Sequence, residues 1–196
     1  MGRIKLAVLV SGRGSNLQSL IEACQQPHFP AEISIVISNK PEAYALVRAQ
    51  NAGIATTVID HKGFESREDF EDALHAELIQ HNIDLVCLAG FMRVLTASFV
   101  ERWEGRMINI HPSLLPKYKG LHTHERALEA GDTESGCTIH FVTAGMDEGP
   151  VILQKSVKIE KGDTPDILAA RVLEQEHVAY PEAVRILADR ILKSAI

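Results

Sequence analysis

The stretch that decides the fold runs from Ile4 to Asn16 and reads IKLAVLVSGRGSN. Its first seven residues are almost all apolar, as expected of a parallel strand that is covered on both faces. The glycine-bearing loop that follows leads into Leu17, Leu20 and Ile21, which repeat at helical spacing. A buried strand, a glycine loop and an amphipathic helix together predict the first unit of an α/β fold.

The same alternation continues through the first half of the chain. Further strands are predicted at residues 33–37, 55–59 and 84–89, and helices at 42–51 and 67–81, the latter with Ser66 as its N-cap. The order β-α-β-α-β-α-β predicts an open, twisted, mainly parallel sheet with helices on both faces.

The second half has a looser pattern. We expect a strand at residues 107–110 and a short helix at 123–130 closed by Gly131. Two strands, at 137–142 and 151–159, are expected to form an antiparallel extension. The last helix starts with Thr164 as cap and Pro165 as first residue, and Pro181 should kink or restart it. With no repeat or linker, residues 1–196 are predicted to be a single α/β domain.

Composition excludes several classes of function. The 196 residues are 45% hydrophobic and 23% charged, with a net charge of −6, so a general nucleic-acid surface is not expected. The N-terminal apolar run is too short for a secretion signal or a membrane span. The three cysteines, Cys24, Cys87 and Cys137, are far apart and are expected to pack as small apolar residues in a reducing cytoplasm.

Asn109 and His111 are the first candidates for catalysis. If the strand at 107–110 extends to His111, both side chains point to one face of the sheet. An amide donor beside an imidazole can polarise a carbonyl and move a proton. The alternative from these residues alone is a hydrogen-bonded histidine and an asparagine that caps a turn.

The loop after the first strand is a candidate anion site. Its two glycines, Gly12 and Gly14, allow close backbone approach, and the helix that follows offers free N–H groups, with Ser15 and Asn16 adding donors. The third glycine of the dinucleotide motif is missing, and so is a Walker A lysine. A phosphate monoester therefore fits better than a dinucleotide, although a plain tight turn is the alternative. Arg13 could contact such an anion or only solvate the loop.

Two carboxylates and several cations complete the candidates. Asp147 lies in a loop between two apolar strands and could face His111, where it would favour the charged imidazole. Glu176 falls on the apolar stripe of the last helix, so it needs a ligand or an internal Lys or Arg partner. Arg67 and Arg93 are candidate anion contacts or solvated charges. His111, His122 and His124 lack a usual metal-ligand spacing, so no metal is expected.

Four segments in matching order carry a resemblance that covers essentially the whole chain: Ser11-Gly12-x-Gly14-Ser15-Asn16, Ala89-Gly90-Phe91-Met92-Arg93, Asn109-Ile110-His111-Pro112-Ser113-Leu114-Leu115-Pro116 and Asp147-x-Gly149-Pro150. Together they closely resemble the phosphoribosylglycinamide formyltransferase family, and imply its Rossmann-like fold. The family transfers the formyl group of 10-formyltetrahydrofolate, as cosubstrate, to the glycinamide amine of a phosphoribosyl acceptor in purine synthesis.

The resemblance also implies roles for individual residues. The catalytic residues would be Asn109, His111 and Asp147. Gly14, Ser15 and Asn16 would bind the acceptor phosphate, and Glu176 the ribose hydroxyls. The folate contacts would be Arg67, Met92, Arg93, Val94, Leu95, Asn109, Thr143 and Asp147. The implied partners are two small molecules, with no nucleic acid or membrane. The resemblance does not fix the oligomeric state, for which a homodimer is one option.

Three other functions have to be weighed. Methionyl-tRNA formyltransferase carries an additional C-terminal RNA-binding domain, and formyltetrahydrofolate deformylase an N-terminal regulatory domain. Neither has a counterpart in these 196 residues, so a nucleotide-precursor acceptor is expected. A non-catalytic phosphoribosyl- or folate-binding module would require a broken Asn, His and Asp trio, whereas all three residues are present.

Overall fold

Side chains of the first strand alternate between two apolar cores, one on each face of the sheet. In the computed structural model, which describes residues 2–194, Leu6, Val8 and Val10 belong to one core and Ala7 and Leu9 to the other. Residues of helices α1, α2 and α6 cover the first face, and residues of α3 and α4 cover the second. The strand is therefore buried on both sides, as its continuous apolar run predicts.

The strands are β1 Ile4–Val10, β2 Ala31–Ser38, β3 Thr56–Val58, β4 Leu85–Leu88, β5 Met107–His111, β6 Glu134–Phe141 and β7 Val151–Lys158. The helices are α1 Ser15–Cys24, α2 Tyr44–Asn51, α3 Arg67–Gln80, α4 Ala97–Arg102, α5 Thr123–Glu129 and α6 Pro165–Ser194, with a short 3-10 turn at His61–Gly63.

The sheet has the order β3-β2-β1-β4-β5-β6-β7. The first five strands in this order pair in parallel, whereas β6 and β7 are antiparallel to their neighbours. Chain order reverses between β1 and β4, and such a switch point opens a crevice at the carboxyl ends of the strands. The predicted fold, a mainly parallel sheet with an antiparallel extension, is confirmed.

The sequence missed one helix and misplaced some boundaries. Helix α4 has six residues, Ala97–Arg102, and its N-terminus is capped by the Thr96 side chain, which accepts from Phe99 N–H. Six residues are too few to show helical periodicity. Strand β6 begins at Glu134, three residues before the predicted start, and β3 has only three residues.

Pro181 does not restart the last helix, so that part of the prediction is wrong. Helix α6 runs through Pro181 over 30 residues. A proline removes one backbone hydrogen bond, here the one to the carbonyl of His177. The buried residues on both sides, Ala179, Tyr180 and Ala183, keep the helix seated on the sheet despite this loss.

The cysteines pack as the sequence predicts. All three are buried and unpaired with one another. Burial raises the pKa of the thiols of Cys24 and Cys137 to about 12, and it raises the pKa of Cys87 further. Within residues 2–194, no helix combines the length and apolar character that crossing a bilayer requires.

Candidate active site

The end of β5 carries two polar side chains on one face. The strand extends to His111, so Asn109 and His111 share the side of the sheet on which Met107 joins the α3–α4 core. His111 is buried and Asn109 is half-buried. Because β5 ends at His111 and lies next to β4, both side chains are at the carboxyl edge of the sheet, close to the switch point between β1 and β4.

Asp147 reaches the same place from the loop between β6 and β7. Its backbone has φ 54, a left-handed conformation that aspartate tolerates better than most residues. Its Oδ2 lies 3.5 Å from Nδ1 of His111 and accepts the N–H of Gly120 at 2.9 Å. The other ring nitrogen of His111, Nε2, lies 2.8 Å from the Tyr118 carbonyl oxygen. Both ring nitrogens of His111 thus face acceptors, an arrangement that suits an imidazolium.

His140, which no motif in the sequence points to, also belongs to this site. This buried residue lies directly across from Asn109 in the antiparallel β5–β6 register, with its Nε2 3.5 Å from Asn109 Nδ2 and 3.7 Å from Asp147 Oδ1. Its Nδ1 lies 2.9 Å from the Phe141 carbonyl oxygen. Burial lowers the pKa of His140 and so favours the neutral ring, whose Nε2 can accept from the Asn109 amide. The contact thereby orients the Asn109 amide.

These residues form the floor of a cleft of about 420 Å³. The predicted folate contacts that line it are Met92, Arg93, Val94, Leu95, Asn109, Thr143 and Asp147. Apolar side chains next to these residues in the chain, among them Phe91, Val142 and Met146, make up much of the remaining wall. The cleft is therefore apolar along its walls and polar at its floor.

Arg67 is the one predicted folate contact outside the lining of the cleft. It is the first residue of α3, one helical turn before Glu71, whose carboxylate bonds Thr96 just beyond the cleft wall. The structure thus places Arg67 on the helix beside the cleft and does not bring its side chain into it.

The glycine loop after β1 is pressed against α2. Gly14 has φ 74, and a Cβ at that position would lie 2.6 Å from Ala45 Cβ. Helix α1 starts at Ser15 and no side chain caps its amino end. The loop and the free N–H groups of the first turn, with Ser15 and Asn16, therefore suit an anion.

Glu176 and Asn16 connect this loop with the catalytic candidates. Asn16 Nδ2 donates to Glu176 Oε2 at 2.7 Å, so the partner of the buried carboxylate is an amide where the sequence suggested a ligand, Lys or Arg. Burial raises the pKa of Glu176, while the Asn16 bond and the nearby charge of His111 oppose the shift. Asn16 Oδ1 is buried without a hydrogen-bond partner in the described residues. A buried acceptor without a partner is unfavourable, and a polar group of a ligand bound here would supply the missing hydrogen bond.

The remaining polar candidates lie around this site without joining the trio. The carbonyl of Arg13 accepts from Arg48 Nε at 2.8 Å. His122 is largely exposed and stands 3.7 Å from Glu125, whereas burial lowers the pKa of half-buried His124. Across residues 2–194, no His, Cys, Asp and Glu side chains form a group suited to a metal ion.

Comparison with known proteins places this geometry among its relatives. Residues 4–184 match the model of a family described as "Formyl transferase". The chain is 49% identical to the phosphoribosylglycinamide formyltransferase of Escherichia coli (strain K12) over 190 residues, covering 97% of this chain and 90% of that protein. A solved structure of the phosphoribosylglycinamide formyltransferase from Brucella melitensis superimposes with a TM-score of 0.92 at 51% identity, covering 95% of this chain and 96% of that one.

Longer relatives contain the same unit as a small part. The human protein named trifunctional purine biosynthetic protein adenosine-3 is 49% identical over 186 residues, which are 95% of this chain and 18% of that protein. A Drosophila melanogaster protein of the same name is 51% identical, and there the match covers 14% of its length. The chain thus spans less than a fifth of these trifunctional relatives.

Proposed function

The chain belongs to the formyl transferase family, and from this premise we propose that it formylates N1-(5-phosphoribosyl)glycinamide. The donor is 10-formyltetrahydrofolate, and the products are the N-formyl compound and tetrahydrofolate, in de novo purine (IMP) biosynthesis. The names and near-complete coverage of the Escherichia coli and Brucella melitensis relatives support this acceptor. The homodimer, the lack of nucleic-acid and membrane partners and the cytoplasmic location stay predictions.

One observation carries the proposal: His111 lies between the Asp147 carboxylate and the Tyr118 carbonyl, beside Asn109, on the floor of the cleft. Attack of an amine on a formyl carbon puts negative charge on the formyl oxygen. Hydrogen bonds from the Asn109 amide and from His111 Nε2, which would exchange the Tyr118 carbonyl for the formyl oxygen, would stabilise that charge. Asp147 would hold the ring of His111 in place through its contact with Nδ1.

Proton transfer completes the proposed reaction. A C–N bond forms between the glycinamide nitrogen and the formyl carbon, and the bond from that carbon to N10 of the folate breaks. The attacking amine must lose a proton, and N10 must gain one. His111, with its imidazole at the floor of the cleft, is the group proposed to relay this proton, directly or through water. The route uses no nucleophile from the protein.

The acceptor would bind along the line from the glycine loop to His111. Gly14, Ser15 and Asn16 would take the phosphate at the amino end of α1, where free N–H groups favour an anion. Glu176 would accept hydrogen bonds from the ribose hydroxyls, and its hydrogen bond with Asn16 at 2.7 Å supports a single site for both groups. The unpaired Asn16 Oδ1 supports a polar ligand at this point.

The cleft fits the donor in character and size. Its volume of about 420 Å³ falls within the range typical of small-molecule sites. Its walls, which include Met92, Val94 and Val142, suit flat aromatic rings, and Arg93 and Thr143 offer polar contacts. When bound, 10-formyltetrahydrofolate would supply the one-carbon group at the polar floor.

The test is an assay of 10-formyltetrahydrofolate consumption with glycinamide ribonucleotide or with water as the only acceptor. We expect consumption that depends on the ribonucleotide and yields the N-formyl product in equal amount. Folate loss that ignores the added ribonucleotide would instead identify a deformylase. An Asn109→Ala variant should lose about 10²–10³-fold in kcat, as for other oxyanion donors; near-normal turnover would overturn the assigned roles.

A further inference from the structure

Residues 92–95 form a wall of the cleft without belonging to a helix or strand. They connect β4 with α4, and their side chains Met92 and Val94 are 63% and 61% exposed. Side chains that are so exposed contribute little packing that could hold the segment in place. Leu95 packs against the α3–α4 core, so the conformation of the rest of the segment depends on this contact and on hydrogen bonds at its two ends.

Ser11 holds the amino end. Its Oγ accepts the backbone N–H of Met92 at 2.8 Å, and its hydroxyl donates to Oδ1 of Asn39. Ser11 and Asn39 are buried at the carboxyl ends of β1 and β2. The first backbone donor of the wall is thus tied to two strands of the sheet.

Glu71 holds the carboxyl end. This residue of α3 is only 3% exposed. Its carboxylate accepts the backbone N–H of Thr96 at 2.7 Å and also the Thr96 hydroxyl. No cationic side chain forms an ion pair with Glu71 in the described residues. Burying a carboxylate costs free energy, and here the two hydrogen bonds from Thr96 compensate for that cost in place of an ion pair. The main structural effect of Glu71 is therefore to hold Thr96 in position.

We propose that Ser11 and Glu71 are positioning residues that fix residues 92–95 in the conformation that receives the folate cosubstrate. The inference rests on the proposed function, because it assigns the cleft to the folate. Neither residue lines the cleft, so each acts through the backbone of the wall. The Glu71 contact also sets the distance between the wall and α3, whose first residue is Arg67.

The test compares Ser11→Ala, Glu71→Gln and Glu71→Ala with the unmodified protein. Loss of one buried anchor should raise KM for 10-formyltetrahydrofolate about five- to twentyfold. KM for glycinamide ribonucleotide and kcat at saturating folate should change less than twofold. Glu71→Gln, which keeps an oxygen acceptor for Thr96 N–H, should have a smaller effect than Glu71→Ala.

Two matched variants control for a merely structural effect. Thr57 Oγ1 in β3 donates to Oε1 of Glu77 on α3 at 2.9 Å, a bond that involves neither anchor. Thr57→Val and Glu77→Ala each remove this side-chain hydrogen bond without touching the wall. They should lower the melting temperature to a similar degree and leave KM for the folate unchanged.

A binding measurement separates this inference from the proposed reaction. Titration calorimetry with 5-formyltetrahydrofolate should show the same five- to twentyfold weakening in Ser11→Ala and Glu71→Ala, whatever the acceptor. If the control variants lose as much affinity for 5-formyltetrahydrofolate as the anchor variants, the inference is overturned. It is also overturned if only KM for the ribonucleotide rises. Should Glu71→Ala fail to fold, Ser11→Ala and Glu71→Gln decide the outcome. A protein that binds the folate but does not formylate the ribonucleotide would contradict the proposed function alone.

Discussion

Asp147 lies between two histidines in different surroundings. His111 Nδ1 is 3.5 Å from one carboxylate oxygen, and His140 Nε2 is 3.7 Å from the other. His111 has acceptors at both ring nitrogens, whereas burial lowers the pKa of His140 and favours its neutral form. One ring can therefore serve as the acid of the reaction while the other orients Asn109.

The charge of Asp147 is testable by Asp147→Asn, which keeps the shape of the side chain. We expect kcat to fall about 10²-fold or more, because the imidazolium at His111 loses its counter-ion. The neighbouring Glu148, which is exposed and paired with Lys119 at 2.8 Å, provides the control Glu148→Gln. Steady-state kinetics in which both variants behave alike would contradict the role of Asp147.

Glu176 is testable by its effect on stability and on acceptor binding. Burial raises the pKa of Glu176 above its ordinary 4.5, so the folded state holds the proton more tightly than the unfolded state. Its contribution to stability is thus full below pH 4.5 and is lost as the pH rises through the raised pKa.

Glu176→Gln should remove that loss. Chemical unfolding at a series of pH values should show a variant that is at least as stable as the unmodified protein at pH 7, with a flatter pH dependence. KM for the ribonucleotide should rise about tenfold to a hundredfold, since a charged acceptor for the ribose hydroxyls is replaced by a neutral one. A variant that loses stability only at neutral pH would refute this account of the carboxylate.

At the level of elements, the packing of the β1–α1 loop against α2 determines the shape of the anion site. Gly14 combines φ 74 with a hypothetical Cβ only 2.6 Å from Ala45 Cβ, whereas a Cβ at Gly12 would meet nothing within 4 Å. Of the two glycines in the motif, only Gly14 requires the absence of a side chain.

Gly14→Ala should lower the free energy of unfolding by about 2 kcal/mol or more, from the left-handed backbone and the contact with α2. KM for the ribonucleotide should rise at least tenfold because the loop has to move. Gly12→Ala should change stability by less than about 0.5 kcal/mol. Urea unfolding of both variants measures the difference, and equal losses would show that the position of α2 is not the cause.

On the scale of the whole molecule, the site lies where the parallel and antiparallel parts of the sheet meet. The cleft takes residues from the loops after β4 and β6 and from the end of β5. A ligand there contacts both parts at once. We propose that the chain unfolds as a single domain that such a ligand stabilises as a whole.

A thermal unfolding experiment checks this proposal. 5-Formyltetrahydrofolate at about 100 times its Kd should add about 2.7 kcal/mol and raise the melting temperature by roughly 5–10 °C. The transition should remain single with and without ligand. A second transition that the ligand leaves unmoved would indicate that one part of the chain unfolds independently.

The sequence by itself determined the α/β fold, because continuous apolar runs and apolar stripes of helical period depend only on neighbours along the chain. It also identified Asn109, His111, Asp147 and Glu176 as candidates, through their residue types and the motifs that carry them. Only the tertiary structure decided the register of β6 against β5, which puts His140 opposite Asn109, and the contact of Glu71 with Thr96. Strand register and long-range side-chain hydrogen bonds depend on how segments that are far apart in the chain pack together. The local periodicity of the sequence carries no information on that packing.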